Sequence, residues 1–320
     1  GYVQSGSATS GLTEYDLEAG AKKLYPVITP FRNTIPRVSG KGGIQANWRG
    51  VTGINTAMIS AGVGQGNRGG LLTQTTKDYN AAYKGIGHEN NVTFEAEYAA
   101  EGFDDIRARA AQNGLESLMI SEELLIIGGN TSLALGTTPT PTASTATTGG
   151  TIAAATYNVI CVALTLDGLM TGSVSAAGVR GLVTRINADA STDIFGGGSA
   201  AKSTAASQAT TGATSTLSAS VTPVVGAFGY AWYVGTAGNE LIQAITTINS
   251  VKLTALATGT QNASALTGDN SQNALIFDGL LTFCSDATSG AYRAVMATGT
   301  AGAGTGLTGD GAGGIVEIDA

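Results

Sequence analysis

Alternating hydrophobic and polar positions between residues 43 and 86 predict a long β-hairpin. Apolar side chains occupy every second position on the outgoing and the returning side: Ile44, Ala46, Trp48, Tyr79, Ala81 and Tyr83. Five glycines between residues 62 and 70 predict a flexible turn between the two sides. A two-stranded hairpin is only marginally stable on its own, so we expect it to pack against a neighbouring surface.

Residues 95–127 show the three- and four-residue spacing of an amphipathic helix. The apolar positions at this spacing are Phe103, Ile106, Ala110, Leu115, Leu118 and Met119. The Gly-Gly-Asn run at 128–130 predicts the end of the helix, whereas Gly102 and Gly114 each weaken it by roughly 1 kcal/mol. The pattern therefore predicts one long rod of helix.

Residues 20–40 predict an extended arm. Pro26, Pro30 and Pro36 each lack a backbone N–H donor, and each disfavours helix at the preceding residue. The arm has no hydrophobic core of its own, so we expect it to lie on another surface.

The chain after the helix predicts a separate, all-β module. Residues 131–150 are rich in Thr, Pro, Gly, Ala and Ser without an apolar period, which predicts a linker. Residues 151–258 contain three strand candidates, around Tyr157, around Trp232 and over 248–253. The low-complexity stretch 199–215 predicts a mobile loop within this module.

The C-terminal residues return to mixed character. An apolar run covers 274–284, a glycine-rich turn covers 299–314, and residues 315–318 have the composition of a further strand or helix. Because nothing follows Ala320 for that element to pack against, we expect the complete polypeptide to continue beyond it.

The composition excludes several classes of protein. Glycine accounts for 47 of 320 residues but has no three-residue period, and there are only 6 prolines, which excludes collagen. Charged residues make up 12% and hydrophobic residues 42%, so the chain is not a charge-rich disordered protein. A net charge of −7 and a pI of about 4.7 argue against a sequence-reading nucleic-acid binder. A free monomer with so few charged residues would be poorly soluble. We therefore expect copies or partners to cover much of the surface.

Charge is distributed unevenly along the first part of the chain. Between residues 22 and 84, nine basic side chains stand against one acidic side chain, a net charge of +8. Between residues 89 and 123, nine acidic side chains stand against two basic ones, a net charge of −7. These opposite blocks favour pairing between the basic arm or hairpin and the acidic helix, either within one chain or between subunits.

Motifs for catalysis are weak in this sequence. Residues 64–69 match G-x-G-x-x-G, but a phosphate-binding turn needs a helix directly after it, and strand-like alternation follows here. His88 is the only histidine and no G-x-S-x-G motif accompanies it, so we interpret it as structural.

Cys161 and Cys284 are interpreted as free core thiols. The acidic residues of 89–123 are interpreted as a solvated or interfacial helix face. We expect no enzyme activity, no cofactor and no metal site.

The arm and the start of the hairpin resemble one known family. Residues 28–38 are Ile-Thr-Pro-Phe-Arg-Asn-Thr-Ile-Pro-Arg-Val, followed by Gly-Lys-Gly-Gly at 40–43 and by Trp48. This pattern resembles the N-terminal arm and the start of the extended loop in the major capsid proteins of tailed bacteriophages.

The resemblance continues along the chain. Three further segments are similar to the return strand of that loop and to the beginning of its spine helix, at residues 77–87, 92–95 and 102–105. Residues 122–130 are similar to the end of the same helix. The resemblance covers about residues 20–130 closely and 273–320 more weakly.

This resemblance implies an α+β chain with the HK-ninety-seven-type capsid fold: an N-terminal arm, an extended E-loop, a peripheral P-domain with a spine helix, and an axial A-domain. The implied divisions are an arm at 1–40, an E-loop hairpin at 41–94, a spine helix at 95–130, a linker at 131–150, an inserted immunoglobulin-like β-sandwich at 151–258, and an A- and P-domain segment at 259–320. The family fold lacks the insertion and normally continues past Ala320, so its C-terminal part is expected to be missing from this chain.

The function implied is that of a subunit which self-assembles into the icosahedral head shell of a tailed phage. Its implied partners are further copies in hexamers and pentamers, a portal protein, decoration or scaffolding proteins, and packaged double-stranded DNA bound non-specifically. No membrane is implied, and the location is the virion after assembly in the bacterial host cytoplasm. The candidate contacts between subunits are Arg32, Arg37, Lys41, Trp48, Arg49, Arg68, Lys77, Tyr79, Lys84, Glu95, Glu97, Asp104 and Asp105.

Two other functions compete with this interpretation. An encapsulin-type compartment would use the same fold to enclose a cargo enzyme, but the inserted β-module favours a phage protein. A secreted adhesin or surface-layer protein is suggested by the Thr-, Gly- and Ala-rich second half of the chain, and the pattern of the first 130 residues argues against it.

Overall fold

A short helix lies near the start of the described chain. The computed structural model describes residues 27–40, 42–55, 59–101 and 105–285. Helix α1 (Pro30–Thr34) begins at a proline, which the first turn tolerates because the N–H group there has no acceptor within the helix. The prediction of an arm that is extended throughout is therefore wrong.

Strands β1 (Gln45–Ile54) and β2 (Gln74–Ala82) form the predicted antiparallel hairpin. Trp48 lies opposite Tyr79, and the register shifts between Val51 and Gly53. The two strands form a sheet of their own, and none of their residues is buried. The hairpin therefore has no hydrophobic core.

The helix predicted over 95–127 is divided in two, α2 (Phe94–Ala99) and α3 (Ile106–Gly128). The side chains of Thr93 and Asp105 accept hydrogen bonds from backbone N–H groups of the first turns, at 3.3 and 3.0 Å. Such caps favour the start of a new helix at each position. The prediction of a single continuous helix is therefore wrong, although the apolar spacing continues through both helices. With 23 residues, α3 is about 34 Å long.

Two antiparallel sheets make up most of the remaining chain. The larger contains β4 (Thr156–Leu164), β7 (Ala206–Ala209), β9 (Gly229–Gly235) and β10 (Leu241–Thr246), in the order β10-β9-β4-β7. The smaller contains β3 (Thr142–Ala146), β8 (Thr216–Ser220) and β11 (Ser250–Leu253), in the order β11-β8-β3. The three predicted strand candidates correspond to β4, β9 and β11.

Shorter elements fill the connections. Helix α4 (Leu166–Thr171) and a second hairpin, β5 (Leu182–Ile186) with β6 (Thr192–Gly196), lie between β4 and β7. A 3-10 turn (Ala263–Ala265) and helix α5 (Leu280–Ser285) follow β11. Both α4 and α5 pack against α3, which connects the helical part of the chain to the sheets.

Two clusters of buried side chains cover opposite faces of the larger sheet. The first lies between the two sheets and includes Cys161 and Trp232. The second lies on the other face and includes Tyr233 and Leu266. Because the larger sheet is covered on both faces, β4 and β9 are buried along most of their length.

Two segments predicted to be irregular are parts of this core. Strand β3 lies in the predicted linker 131–150 and pairs with β8, and Leu135 is buried in the first cluster. Strand β7 lies in the predicted mobile loop 199–215, where Ser199 is fully buried. Small side chains gave no apolar alternation in either segment, yet their backbones pair as in any other strand.

The β-rich part also extends beyond the predicted boundaries of 151 and 258. Leu266 is buried in the second cluster, and the N–H group of Asn273 donates to the carbonyl of Asn130 at 2.8 Å. The chain therefore begins and ends this part at one place, and we call residues 130–273 the β-domain.

The predicted α+β class is confirmed at the level of secondary structure, since the described chain is mixed, with many strands and few helices. No helix among the described residues is long and apolar enough to cross a membrane. The predicted turn at 299–314 and the element at 315–318 lie outside the described residues.

Candidate subunit-contact surface

A buried carboxylate fastens the arm to α3. The carboxylate of Glu123, a residue only 5% exposed, accepts hydrogen bonds from the backbone N–H groups of Phe31 at 3.0 Å and Arg32 at 2.7 Å. These groups begin α1, where N–H donors have no acceptor within the helix and the side chain of Thr29 provides no cap. Glu123 therefore caps a helix from a distant part of the sequence.

The neighbouring carboxylate, Glu122, binds two arginines of the arm. Arg32 donates from Nε at 2.5 Å, and Arg37 donates from Nη2 to both carboxylate oxygens at 2.7 and 2.9 Å. Burial would raise the pKa of Glu122, but the hydrogen bonds and charges of the two arginines outweigh it and hold that pKa below its ordinary value. The pairing of basic arm and acidic helix thus occurs within one chain here, and pairing between subunits stays a prediction.

One face of the β1–β2 hairpin carries an aromatic patch beside a cation. The rings of Trp48 and Tyr79 stack with their centroids 5.9 Å apart, and Nζ of Lys77 lies 5.3 Å from the centroid of Tyr79. Gly50 permits this packing, since a Cβ there would lie only 3.0 Å from the Tyr79 ring. Trp48 remains 52% exposed. Aromatic side chains of this kind are enriched in protein interfaces, so we call Trp48, Lys77 and Tyr79 the hairpin patch.

The other charged candidates of the hairpin differ in their surroundings. Arg49 pairs with Asp78 across the strands, through Nε–Oδ1 and Nη2–Oδ2 contacts of 2.5 and 2.8 Å. Both side chains are largely exposed, so the pair contributes little to stability. Arg68 is exposed in the turn between the strands. Lys84 donates from Nζ to the carbonyl of Ala274 at 2.8 Å, which anchors the base of the hairpin.

The acidic candidates act mainly at the ends of α2 and α3. Asp105 caps α3, as described above, and Glu97 pairs with Arg107 of α3 at 2.6 Å. Glu95 is exposed in the first turn of α2, where the helix dipole favours a carboxylate. These carboxylates therefore have local roles, and they lie apart from the Glu122–Glu123 pair that holds the arm.

A groove of about 630 Å³ lies between residues 88–92 and α3. Ala110, Gly114 and Leu118 form much of its α3 wall, and a Cβ at Gly114 would meet nothing within 4 Å. Nε2 of His88 lies 2.9 Å from Oγ of Ser121, a contact that joins the two walls. The groove is open and its lining is mixed, because the polar side chains of His88, Asn90 and Arg107 lie beside the small and apolar ones.

The described residues bring together none of the motifs considered for catalysis. Within them, no group of three or more His, Cys, Asp or Glu could hold a metal ion. The turn at 64–67 is followed by β2 and not by a helix, whereas a phosphate-binding motif needs a helix directly after the turn.

Burial raises the pKa of the Cys161 thiol. Cys284 is also free but is exposed, so its prediction as a core thiol is wrong.

Residues 27–128 expose large apolar side chains and bury few. In the described portions of this part, Ala100 is the only hydrophobic residue that belongs to the buried core. Several others are more than two-thirds exposed: Val38, Ile44, Leu71, Phe94 and Tyr98. The other buried hydrophobic residues lie in the β-domain. Exposed apolar surface on this scale is typical of a site that another molecule covers.

Comparisons with family models, with curated proteins and with solved structures gave no significant match. Of the predicted contacts, Arg32 and Arg37 come together on one carboxylate, and Trp48, Lys77 and Tyr79 come together in the hairpin patch.

Sequence reasoning missed the acceptors of the arm. Glu122 and Glu123 were interpreted as part of a solvated or interfacial helix face, but Glu123 is buried. The opposite charge blocks were the available signal for the pairing, and the fold is needed to show which acidic side chains the arm reaches. Lys41 and Asp104 lie outside the described residues.

Proposed function

We propose that this chain is a major capsid protein that self-assembles into the icosahedral head shell of a tailed phage around double-stranded DNA. The observation that carries the proposal is the contrast between the exposed apolar surface of residues 27–128 and the well-packed β-domain. Such a surface is stable where neighbouring copies cover it. In a shell every copy has neighbours on all sides, so the arm, the hairpin patch and the groove on α3 would each meet another copy.

The order of the elements supports the same proposal. An arm, a lone hairpin and a long helix follow one another along the chain, as the N-arm, E-loop and spine helix do in the HK-ninety-seven-type fold that the sequence resembles. The β-domain follows the long helix, as an insertion into that fold would. The hairpin patch of one copy would face the groove on α3 of the next, where aromatic rings would meet a hollow lined by small, apolar and polar side chains.

We propose further that the β-domain is an immunoglobulin-like insertion. The order β10-β9-β4-β7 is comparable with strands G-F-C-C′ of such a domain, and the β3–β8 pair with strands B and E. At the start of β9 the hydroxyl of Tyr230 accepts a hydrogen bond from the backbone N–H group of Val224 at 3.0 Å. This corresponds to the tyrosine corner at the start of strand F. Strand β11 takes the place of strand D, which is a departure from the fold.

The proposed partners follow from the shell. Copies of the chain would form hexamers and pentamers, a portal protein would occupy one vertex, and decoration or scaffolding proteins would bind the shell surfaces. Packaged DNA would touch the shell non-specifically and weakly, since a net charge of −7 does not favour tight binding of phosphates. The proposed location is the virion, and no enzyme activity or cofactor belongs to this function.

Sedimentation and negative-stain electron microscopy of the purified protein test the proposal. We expect large, closed particles of regular diameter. A folded protein that stays monomeric or dimeric at every concentration tested would overturn the proposal. Native particles with DNA and a portal vertex would support a phage head, whereas particles that enclose a protein cargo would support the encapsulin-type alternative.

A further inference from the structure

One face of the second hairpin, β5–β6, consists of exposed, uncharged side chains. Every second residue of a strand projects to the same side, together with the residue directly opposite it on the neighbouring strand. The register therefore gives one face Leu182, Thr184 and Ile186 from β5, with Thr192 and Ile194 from β6. All five are exposed, and the three aliphatic ones are between 60% and 75% exposed. We call these five residues the aliphatic face.

The charged residues of the two strands lie on the other face. There Arg185 donates from Nη2 to Oδ2 of Asp193 at 2.6 Å, and its guanidinium carbon lies 5.4 Å from the ring centroid of Phe195. Antiparallel sheets usually turn their polar side to water and their apolar side inward. Here the aliphatic face is turned to water, which is typical of a surface that another molecule covers.

The size of the aliphatic face limits what can cover it. Two strands of five residues present roughly 170 Å², at about 3.4 Å per residue and about 4.8 Å between strands. A stable complex buries about 800 Å² on each partner, so a free partner would not stay bound through this face alone. A second copy of the chain that other contacts hold nearby would, because linked contacts act at a high effective concentration.

Large and small residues alternate between the two strands of this face. Thr184 lies opposite Ile194, and Ile186 lies opposite Thr192, so the large side chain changes strand from one row to the next. A two-fold axis parallel to the strands would stack two such faces about 10 Å apart, with β5 of one copy over β6 of the other. Each isoleucine would then lie over a threonine of the second copy, which is how facing layers fill the space between them.

The base of the hairpin limits the aliphatic face on one side. Gly196 lies opposite Leu182, and a Cβ at Gly196 would overlap the carbonyl oxygen of Gln272. Leu182 therefore borders the rest of the β-domain, and Ile186 and Ile194 form the free centre of the face.

We propose that the aliphatic faces of two neighbouring copies pack against each other across this two-fold axis. The inference rests on the proposed shell function, because only an assembly holds two copies together well enough for so small a contact. An isologous contact uses the same surface on both copies and closes on a pair. It buries no charge here, since Arg185 and Asp193 lie on the far side of each hairpin.

Cross-linking in assembled particles tests the contact. Ile194→Cys in a Cys284→Ser background places one exposed thiol on each aliphatic face, while Cys161 stays buried. Particles are treated with a short bifunctional thiol reagent and separated on a denaturing gel, and we expect covalent dimers of twice the chain mass. Ile248→Cys in the same background is the matched control, since Ile248 is 62% exposed but lies outside the hairpin. It should give dimers at a yield on the order of tenfold lower.

The outcomes separate this contact from the shell itself. Particles that yield only monomers from Ile194→Cys, or equal dimer yields from the two cysteine variants, would overturn the contact and leave the shell proposal standing. A covalent product of another mass would place a different protein on the aliphatic face and would also overturn it. A failure of the unaltered protein to form particles would overturn both proposals.

Charged substitutions give a second measurement, with circular dichroism as the check that each variant folds. Ile194→Asp would bury a carboxylate in the contact, so we expect a yield of particles on the order of tenfold lower by sedimentation. Ile248→Asp is the matched control and should assemble normally. In an equal mixture with Thr184→Lys chains, the two-fold arrangement places the new carboxylate over the new ammonium group of the other chain, and the yield should recover. Equal yields for the two aspartate variants, or no recovery in the mixture, would overturn the proposed arrangement.

Discussion

Trp232 lies directly opposite Cys161 in the register of β9 and β4, and neither side chain is exposed to solvent. The pair sits in the cluster between the two sheets, and the indole N–H of Trp232 donates to Oγ1 of Thr246 at 2.9 Å. Large buried aromatic side chains contribute most to a core of this kind. The stability of the β-domain should therefore depend on this position.

Replacing Trp232 with Ala should lower the free energy of unfolding by about 3–5 kcal/mol, because it removes buried apolar area and leaves a cavity. Urea unfolding followed by circular dichroism measures the loss. Trp48→Ala is the matched control, since it removes the same side chain from the exposed hairpin patch and should change stability by less than about 1 kcal/mol. Equal losses in the two variants would contradict the assigned core.

The two cysteines should differ sharply in reactivity. Cys161 is buried, and burial raises the pKa of its thiol, whereas Cys284 is exposed. The thiolate is the reactive form, so a thiol reagent at neutral pH should modify one cysteine in the folded, unassembled protein and both in denaturant. Peptide mapping identifies the modified residue. Rapid modification of Cys161 in the folded protein would contradict its burial.

The hydroxyl of Tyr230 should contribute more to stability than that of Tyr233. Tyr230→Phe leaves the partly buried N–H group of Val224 without its acceptor, which costs about 1–3 kcal/mol. Tyr233→Phe removes a donor to Oε1 of Gln261, but that oxygen still accepts from the N–H group of Val179 at 2.8 Å. Thermal unfolding of the two variants compares them. A larger loss for Tyr233→Phe would reverse the assignment.

Alternation of apolar and polar residues was sufficient for the hairpin and for the most apolar strands, because each of these elements carries its own pattern. It was insufficient for β3 and β7, which consist of small residues such as Thr, Ala and Ser. Their place in the sheets depends on strands far away in the sequence, such as the pairing of Ala143 with Ala219. A local pattern contains no information about such a partner.

The opposite charges of the arm and the acidic helix were predictable from the sequence, but the particular side chains that meet were not. Net charges of opposite sign indicated that the arm would meet the acidic helix. Glutamate is seldom fully buried unless it is paired, so the burial of Glu123 could not be expected without knowledge that α1 places two N–H donors above it. The short helix that provides these donors was itself predicted as extended chain.

Acid should release the arm. In the folded chain, burial alone would raise the pKa of Glu122, but Arg32 and Arg37 lower it below its ordinary value. Such a carboxylate stabilises the docked arm above its unfolded-state pKa of about 4.3, and this contribution is lost as the pH falls through the lower, folded-state pKa. The arm should therefore be docked near neutral pH and released below about pH 4.

Fluorescence anisotropy of a dye attached at Val38→Cys, in a Cys284→Ser background, measures this release. The anisotropy should fall as the solution is acidified. With Glu122→Gln added, the neutral side chain binds the arginines weakly at every pH, so the anisotropy should start lower and change less. The same pH profile with and without this substitution would contradict the role of Glu122.

Residues 130–273 should fold as an independent domain. Both buried clusters lie within these limits, and the two ends meet where Nδ2 of Asn130 donates to the carbonyl of Ser271 at 2.9 Å. The shorter fragment 151–258, which the sequence pattern alone would suggest, lacks β3 at one edge of the smaller sheet and Leu266 of the second cluster.

We therefore expect the longer fragment to show a strand signal by circular dichroism and a cooperative urea transition. The shorter one should aggregate or unfold without cooperativity, because it exposes an unpaired edge and apolar core residues. Equal stability of the two fragments would contradict the assignment of β3 to the core, and a longer fragment without a cooperative transition would show that α3 and α5 are needed to complete the domain.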